Sequence, residues 1–350
     1  MTAKPTSPQL DSAQLDLLLR LLDTPAPSGY EQPVADVFAS AAASFAEVES
    51  DAVGNQYAIV NRGASRRVMI AGHLDEIGFV VTRIDSKTGL IRFEPIGGWS
   101  PELVMGQRIR VMTESGPLPG HIGCLPVHQT YDHKRTHPKL KDMWIDVGAV
   151  DGDEANELVR IGDPIVLDAT PHVYANRRVL SRSADNRIGI FIALQVARAC
   201  VGDDVEVIAL GSVSEETTQF GAEVAAYRTE PDAAIVVDVT WTSDVPGDHG
   251  EDISVGKGPV ISFGAAARSR NGAALLEVAR GLEMDVQVAG AGTNTYTDAE
   301  PISRAGNGVS TGVVSVATRY LHSPGELFDL RDVEDSIALL AQWARAYSAE

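Results

Sequence analysis

Cysteine is nearly absent: Cys124 and Cys200 are the only two in 350 residues. So few thiols exclude a disulfide-stapled scaffold, and their separation excludes a paired-thiolate metal site, which leaves a reducing compartment as the natural setting. Long apolar runs are missing too. No stretch approaches the roughly 18 consecutive apolar residues of a membrane span, and Met1 to Gln9 has Lys4 with no apolar segment behind it. The chain therefore reads as cytoplasmic, without a membrane partner. Positive charge is scarce: 29 Lys plus Arg against 48 Asp plus Glu give a formal net charge of −19. A surface of that sign repels phosphate backbones and anionic lipid, which argues against nucleic acid as a partner. No fixed-period repeat is present, which removes solenoids and propellers. The remaining balance, 44% hydrophobic and 22% charged, suits a full core in one large domain or two ordinary ones and excludes disorder.

Along the chain, residues 12–23 place Leu15, Leu18, Leu19 and Leu22 at helical spacing and stop before Thr24-Pro25, which predicts a first helix. A second helical stretch lies near 31–46, followed by short apolar strands at Tyr57–Val60 and Val68–Ala71. From about 78 to 175 the texture changes to β-like runs broken by Gly and Pro, with no long amphipathic helix. Beyond Asn186 helices (188–199, 219–228, 269–282 and a last one after Asp332) are interleaved with strands (205–210, 233–239, 258–264, 309–316). Strands separated by helices predict an α/β fold, a mainly parallel sheet covered by helices. The parse is a catalytic α/β domain from 1–77 and 176–350, interrupted by a small β-rich insert at 78–175.

Three of the strands end in chemistry-bearing groups: Gly72-His73-Leu74-Asp75, Ser214-Glu215-Glu216 and Val237-Asp238. Strand carboxyl ends are where open α/β sheets bind ligands. Two more segments, Ser183-Ala184-Asp185-Asn186 and Arg319-Tyr320-Leu321-His322, fall where they can reach the same crevice. Singly, each has an ordinary structural explanation: a hydrogen-bonded His–Asp pair, a solvated Glu pair, a helix cap at Asp185. Together, His73, Asp185, Glu216, Asp238 and His322 suffice for two divalent cations sharing one carboxylate, since zinc takes imidazole and carboxylate ligands and paired sites sit about 3.5–4 Å apart. Asp75, two residues from His73, can orient that imidazole. Glu215 can accept a proton from water.

With these segments in hand, the chain resembles the tetrahedral aminopeptidases, dinuclear-metal exopeptidases that include glutamyl and deblocking aminopeptidases, some described as cellulases. The resemblance spans nearly the whole chain. It is carried also by Pro27-Ser28-Gly29-Tyr30-Glu31, Asp51-Ala52-Val53-Gly54-Asn55, Ile96-Gly97-Gly98, Ile145-Asp146-Val147-Gly148-Ala149, Asp185-Asn186-Arg187-Ile188-Gly189 and Gly256-Lys257-Gly258-Pro259. It implies one metal on His73, Asp185 and Asp238 and another on Asp185, Glu216 and His322, with Glu215 as general base and Asp75 as orienting group. It implies N-terminal cleavage of short peptides, two divalent ions per subunit (zinc first, with cobalt or manganese also suited to the ligands), and a hollow homo-oligomer, usually a dodecamer, with dimer contacts in the insert. The insert's position between Asp75 and Asp185 favours this architecture over related two-metal enzymes that carry a lid before the last His. Two departures stand out: Asn186 replaces the family's usual second acid, and Thr217-Thr218-Gln219-Phe220-Gly221 replaces a Val-Gly type continuation.

The alternatives are a deacylase or carboxypeptidase on the same metal core, a non-catalytic scaffold, and a glycosidase, which leaves both His unexplained. Tyr296 and Asp298 are candidates for reading the substrate's first side chain. A basic, His-rich loop (128–141, with Lys134, Arg135, Lys139 and Lys141) reads as a solvated loop or, alternatively, as lining an interface or the site's entrance.

Overall fold

The computed structural model describes residues 7–126, 139–247, 252–267 and 269–347. The basic loop's His128, His133, Lys134, Arg135 and His137 lie outside them; His121, Lys139 and Lys141 lie inside and are exposed.

The chain opens with helices Ser12–Asp23 and Gln32–Ala42 and then lays down β1 (Glu47–Ser50), β2 (Gln56–Val60) and β3 (Arg67–His73). Six strands follow: β4 (Gly78–Ile84), β5 (Ile91–Ile96), β6 (Arg108–Thr113), β7 (Gly116–Gly123), β8 (Trp144–Asp146) and β9 (Pro164–Leu167). They close a barrel in the order β4-β5-β8-β7-β6-β9 around Phe79, Val81, Ile109, Val111, Ile145 and Ile165. A small sheet of β10 (His172–Val173), β11 (Arg178–Ser181) and β17 (Glu326–Asp329) sits beside the main one. The main sheet is completed by β12 (Glu206–Ser212), β13 (Ala233–Thr240), β14 (Val260–Gly264), β15 (Gln287–Ala291) and β16 (Ser310–Ala317), in the order β1-β2-β12-β3-β13-β16-β14-β15. The fold is thus α/β with a large mixed sheet.

The four central strands, β12-β3-β13-β16, are mutually parallel. Side chains alternate between two cores: Val68, Ile70, Val207, Ile235 and Val314 face the helices Ser12–Asp23, Ala184–Ala199 and Leu330–Ala346. Met69, Ala71, Ile208, Ala234 and Val313 face the helices Phe220–Thr229 and Ala299–Arg304. Burial on both faces explains why these strands read as unbroken apolar runs in the sequence. All four parallel strands therefore point their carboxyl ends the same way.

One close approach fixes the site. A Cβ on Gly72 would lie 2.5 Å from the Gly189 carbonyl carbon, and one on Gly189 would lie 2.5 Å from the Val237 oxygen. Only glycine at both positions lets the helix Ala184–Ala199 lie against the ends of β3 and β13, which brings its first turn to His73.

Candidate metal centre

The sequence-selected residues arrive from six places. His73 ends β3; Glu215 and Glu216 follow β12; Asp238 lies near the end of β13; His322 follows β16; Asp185 comes from the helix start; Asp75 lies just beyond β3. Asp185 and Asn186 depart from helical φ/ψ, which turns the Asp185 carboxylate away from the helix and into the cleft. There it stands between two imidazoles, Oδ1 at 3.1 Å from His73 Nε2 and Oδ2 at 3.4 Å from His322 Nε2. Glu216 Oε2 lies 3.5 Å from His322 Nε2. One ligand atom each from His73, Asp185 and Glu216 falls within 4.8 Å of the others. Asp238 is 5% exposed and lines the same cleft, a cavity of about 260 Å³.

The electrostatics of the cleft are those of closely spaced, buried acids. Burial, compounded by the Asp185 charge, pushes the Glu216 and Asp238 carboxyls well above their ordinary range. Burial likewise pushes Glu215 up to about 7. Burial opposes ionisation of Asp185, but His322 and His73 hold it below its usual value. Burial also works against a charged His73, yet the carboxylates of Asp185 and Asp75 raise it well above a free imidazole. Glu216 Oε1 is buried with no hydrogen-bond partner. Buried carboxylates are paired or coordinate metals, and an orphaned carboxylate oxygen beside two imidazoles and two further acids is the donor set that divalent transition metals take.

The surroundings hold these groups in place. Asp75 is fully buried; its backbone oxygen lies 3.1 Å from His73 Nδ1, and its carboxylate accepts from Glu215 N (3.1 Å), Glu216 N (3.0 Å) and Ser28 Oγ (2.5 Å). One acid thus fixes both the imidazole's outer nitrogen and the Glu-Glu backbone. Asn186, buried, donates Nδ2 to Val237 O (2.7 Å) and accepts from Gly189 N (2.9 Å), so in place of the family's acid it ties the helix start to β13.

Three features escaped the sequence reading. Glu326, 1% exposed, accepts from Asp185 N through one oxygen (3.1 Å) and from His322 N through the other (2.9 Å). Gln219, in the departing loop and left-handed at φ 58°, donates Nε2 to Glu215 Oε1 at 2.7 Å. Glu76 is buried against Arg182 (Nε to Oε2, 3.0 Å) and Arg187 (NH2 to Oε1, 3.3 Å) and also accepts from Ala26 N (2.9 Å). The pairs join residues far apart in sequence, except Gln219 with Glu215 and Glu326 with His322, each four positions apart. Of the two specificity candidates, Tyr296 stands 75% exposed at the cleft's rim, while Asp298 is buried and accepts from Ser212 Oγ (2.5 Å).

A parallel sheet whose strand ends and helix start gather two imidazoles and four carboxylates into one cleft is the arrangement of a metal-dependent hydrolase. Comparison with known proteins makes the class specific. The family model described as M42 glutamyl aminopeptidase matches residues 54–339. Lysyl aminopeptidase of Pyrococcus furiosus is 34% identical over 335 residues, covering 93% of this chain and 94% of the relative. The TET aminopeptidase structure of Thaumarchaeota archaeon SCGC AB-539-E09 superposes with a TM-score of 0.91 at 30% identity, covering 96% of this chain and 97% of that one. TET1 peptidase of Pyrococcus horikoshii, whose structure is described as a tetrahedron or a large octahedral shell, gives a TM-score of 0.84 at 28% identity, with 95% and 100% covered. The chain belongs to the M42 glutamyl aminopeptidase family and is a metal-dependent aminopeptidase, a peptide hydrolase. Among the described residues no helix is long and apolar enough to cross a membrane.

Proposed function

We propose that the enzyme removes N-terminal residues from short peptides with two divalent cations, zinc first among the metals that suit the donors, one held by His73, Asp185 and Asp238 and the other by Asp185, Glu216 and His322. The observation that carries this is the Asp185 carboxylate, whose two oxygens each face a different imidazole. When bound, the cations supply Lewis-acid polarisation of the scissile carbonyl and lower the pKa of the attacking water.

The chain's own groups do the rest. Glu215 Oε1 is tied to Gln219, which leaves Oε2, 3.8 Å from His73 Nε2, as the oxygen that takes the proton from water and passes it to the leaving amine. Asp75 keeps His73 and the Glu215-Glu216 backbone in register. Exopeptidase action requires a place for the free substrate amine, which one metal position or a carboxylate beside it would supply.

By analogy with the shells of its structural relatives, the enzyme assembles into a dodecamer, residues 78–175 forming a distinct dimerisation domain and 1–77 with 176–350 the catalytic one. The two free cysteines, Cys200 buried and Cys124 partly so, suit a reducing cytoplasm.

The test is Glu215→Gln. Equilibrium dialysis against zinc should give two ions per subunit in the variant as in the wild type, while kcat on alanyl and leucyl chromogenic substrates falls about 10²–10⁴-fold. Retained turnover, or one ion per subunit in the wild type, refutes the assignment. Faster cleavage of N-acetylated than of free peptides would instead make the enzyme a deacylase.

A further inference from the structure

The cleft has a wall that the metal ligands do not explain. Beyond Asp185, Glu215, Glu216, Asp238 and His322, its lining comes from Val239, Thr240, Trp241, Thr295, Tyr296, Thr297 and Leu321. None of these seven side chains carries a charge. Three charged groups flanking this wall are committed to one another or to backbone. Glu300 accepts from Thr295 N (2.5 Å) and from the Thr295 hydroxyl, and Arg319 makes a two-pronged pair with Asp244, at 2.9 and 2.5 Å. Trp241 and Tyr296 are 70% and 75% exposed at the rim, large apolar surfaces open to contact from a bound molecule.

The field inside the cleft does not supply the missing preference. On the two-metal reading, the dications offset the carboxylates of Asp185, Glu215, Glu216 and Asp238, so a bound peptide meets little net charge beyond its own amine. Among the described residues lining this wall, a Glu side chain would lose water and find no cation, and a Lys side chain would find no free carboxylate. Each bears an uncompensated desolvation cost. An aliphatic or aromatic side chain gains from the same surfaces.

We infer that this enzyme's substrates are peptides with an uncharged, apolar first residue, read by Trp241 and Tyr296, with Leu321 in the same wall. This deepens the two-metal aminopeptidase reading and rests on it. It also separates this chain from relatives named for glutamyl and lysyl substrates.

The test compares metal-loaded enzyme on alanyl, leucyl, phenylalanyl, glutamyl and lysyl chromogenic substrates. Leucyl or phenylalanyl kcat/KM should exceed both glutamyl and lysyl by about tenfold or more, the scale on which an apolar pocket discriminates. Trp241→Ala and Tyr296→Ala, at exposed positions where folding is not at stake, should lower the leucyl-to-alanyl ratio of kcat/KM several-fold, chiefly through KM. A glutamyl or lysyl optimum overturns the inference while leaving the two-metal aminopeptidase intact, as does an unchanged ratio in both variants. Turnover of N-acetylated substrates alone overturns the aminopeptidase reading and this inference with it.

Discussion

Glu326 offers the sharpest test of how the site is held. Its two oxygens accept the backbone N–H groups of Asp185 and His322, the shared carboxylate and the last imidazole of the proposed metal site. His322 sits at φ 55° and Tyr320 at φ 62°, a left-handed backbone that costs a non-glycine residue about 1–2 kcal/mol and persists only where neighbours hold it. Glu326→Gln keeps the shape but turns one oxygen into an NH2 group, which then confronts a backbone donor. One buried N–H loses its acceptor, a cost of about 1–3 kcal/mol. The ligand loop it held is freed to relax, and loss of an outer partner of this kind typically weakens metal binding about 10–100-fold. Urea unfolding of the metal-free protein reads the first effect, and zinc titration by calorimetry with a competing chelator reads the second. If the variant loses stability yet binds zinc with wild-type affinity, Glu326 is only a structural residue and the reasoning fails.

Two further outcomes follow from buried charge. Glu76→Gln removes the counter-charge of two guanidiniums, Arg187 fully buried and Arg182 4% exposed; it should destabilise by about 3–5 kcal/mol in urea unfolding, as breaking buried pairs does, and a loss under about 1 kcal/mol contradicts that account. Asp332 is buried, accepts from Gly256 N (2.7 Å) and Gly258 N (2.8 Å), and is pushed by burial up to about 7. Because this carboxyl binds its proton more tightly folded than unfolded, its contribution is fully present below about pH 4 and is lost as pH rises through about 7. Urea unfolding at about pH 5 and about pH 8 should therefore show a stability loss of a few kcal/mol that Asp332→Asn reduces; equal pH slopes in both proteins would show that Asp332 does not titrate in this window.

What the sequence made legible, and what it did not, divides along a physical line. The segments that gather at the cleft could be found because each follows a local signal: an apolar strand that stops at His73, at Ser214-Glu215-Glu216 or at Asp238, or a turn before a helix at Asp185. The parallel core was readable for the same reason, since strands buried on both faces are apolar without interruption. β1, with the sequence Glu-Val-Glu-Ser, and β15, at the far edge, went unread because edge strands need no such run. The helix Ala299–Arg304 went unread because it is short and contains Pro301.

Glu326 was illegible for a different reason. In Ser323-Pro324-Gly325-Glu326 it is one acid on a short strand, and its partner Asp185 lies 141 positions away. Nothing local marks it. Yet it repeats, on the far side of the site, what Asp75 does on the near side: one buried carboxylate takes two backbone N–H groups and so fixes two ligand-bearing loops. The groups proposed to touch metal are written in short motifs, while the groups that set their spacing are written only in the fold. A chain that keeps all seven motif residues but loses Glu326 would thus pass any motif test and still hold its metals poorly. The distance between Asp185 and His322, rather than their presence, is what such a chain would have lost.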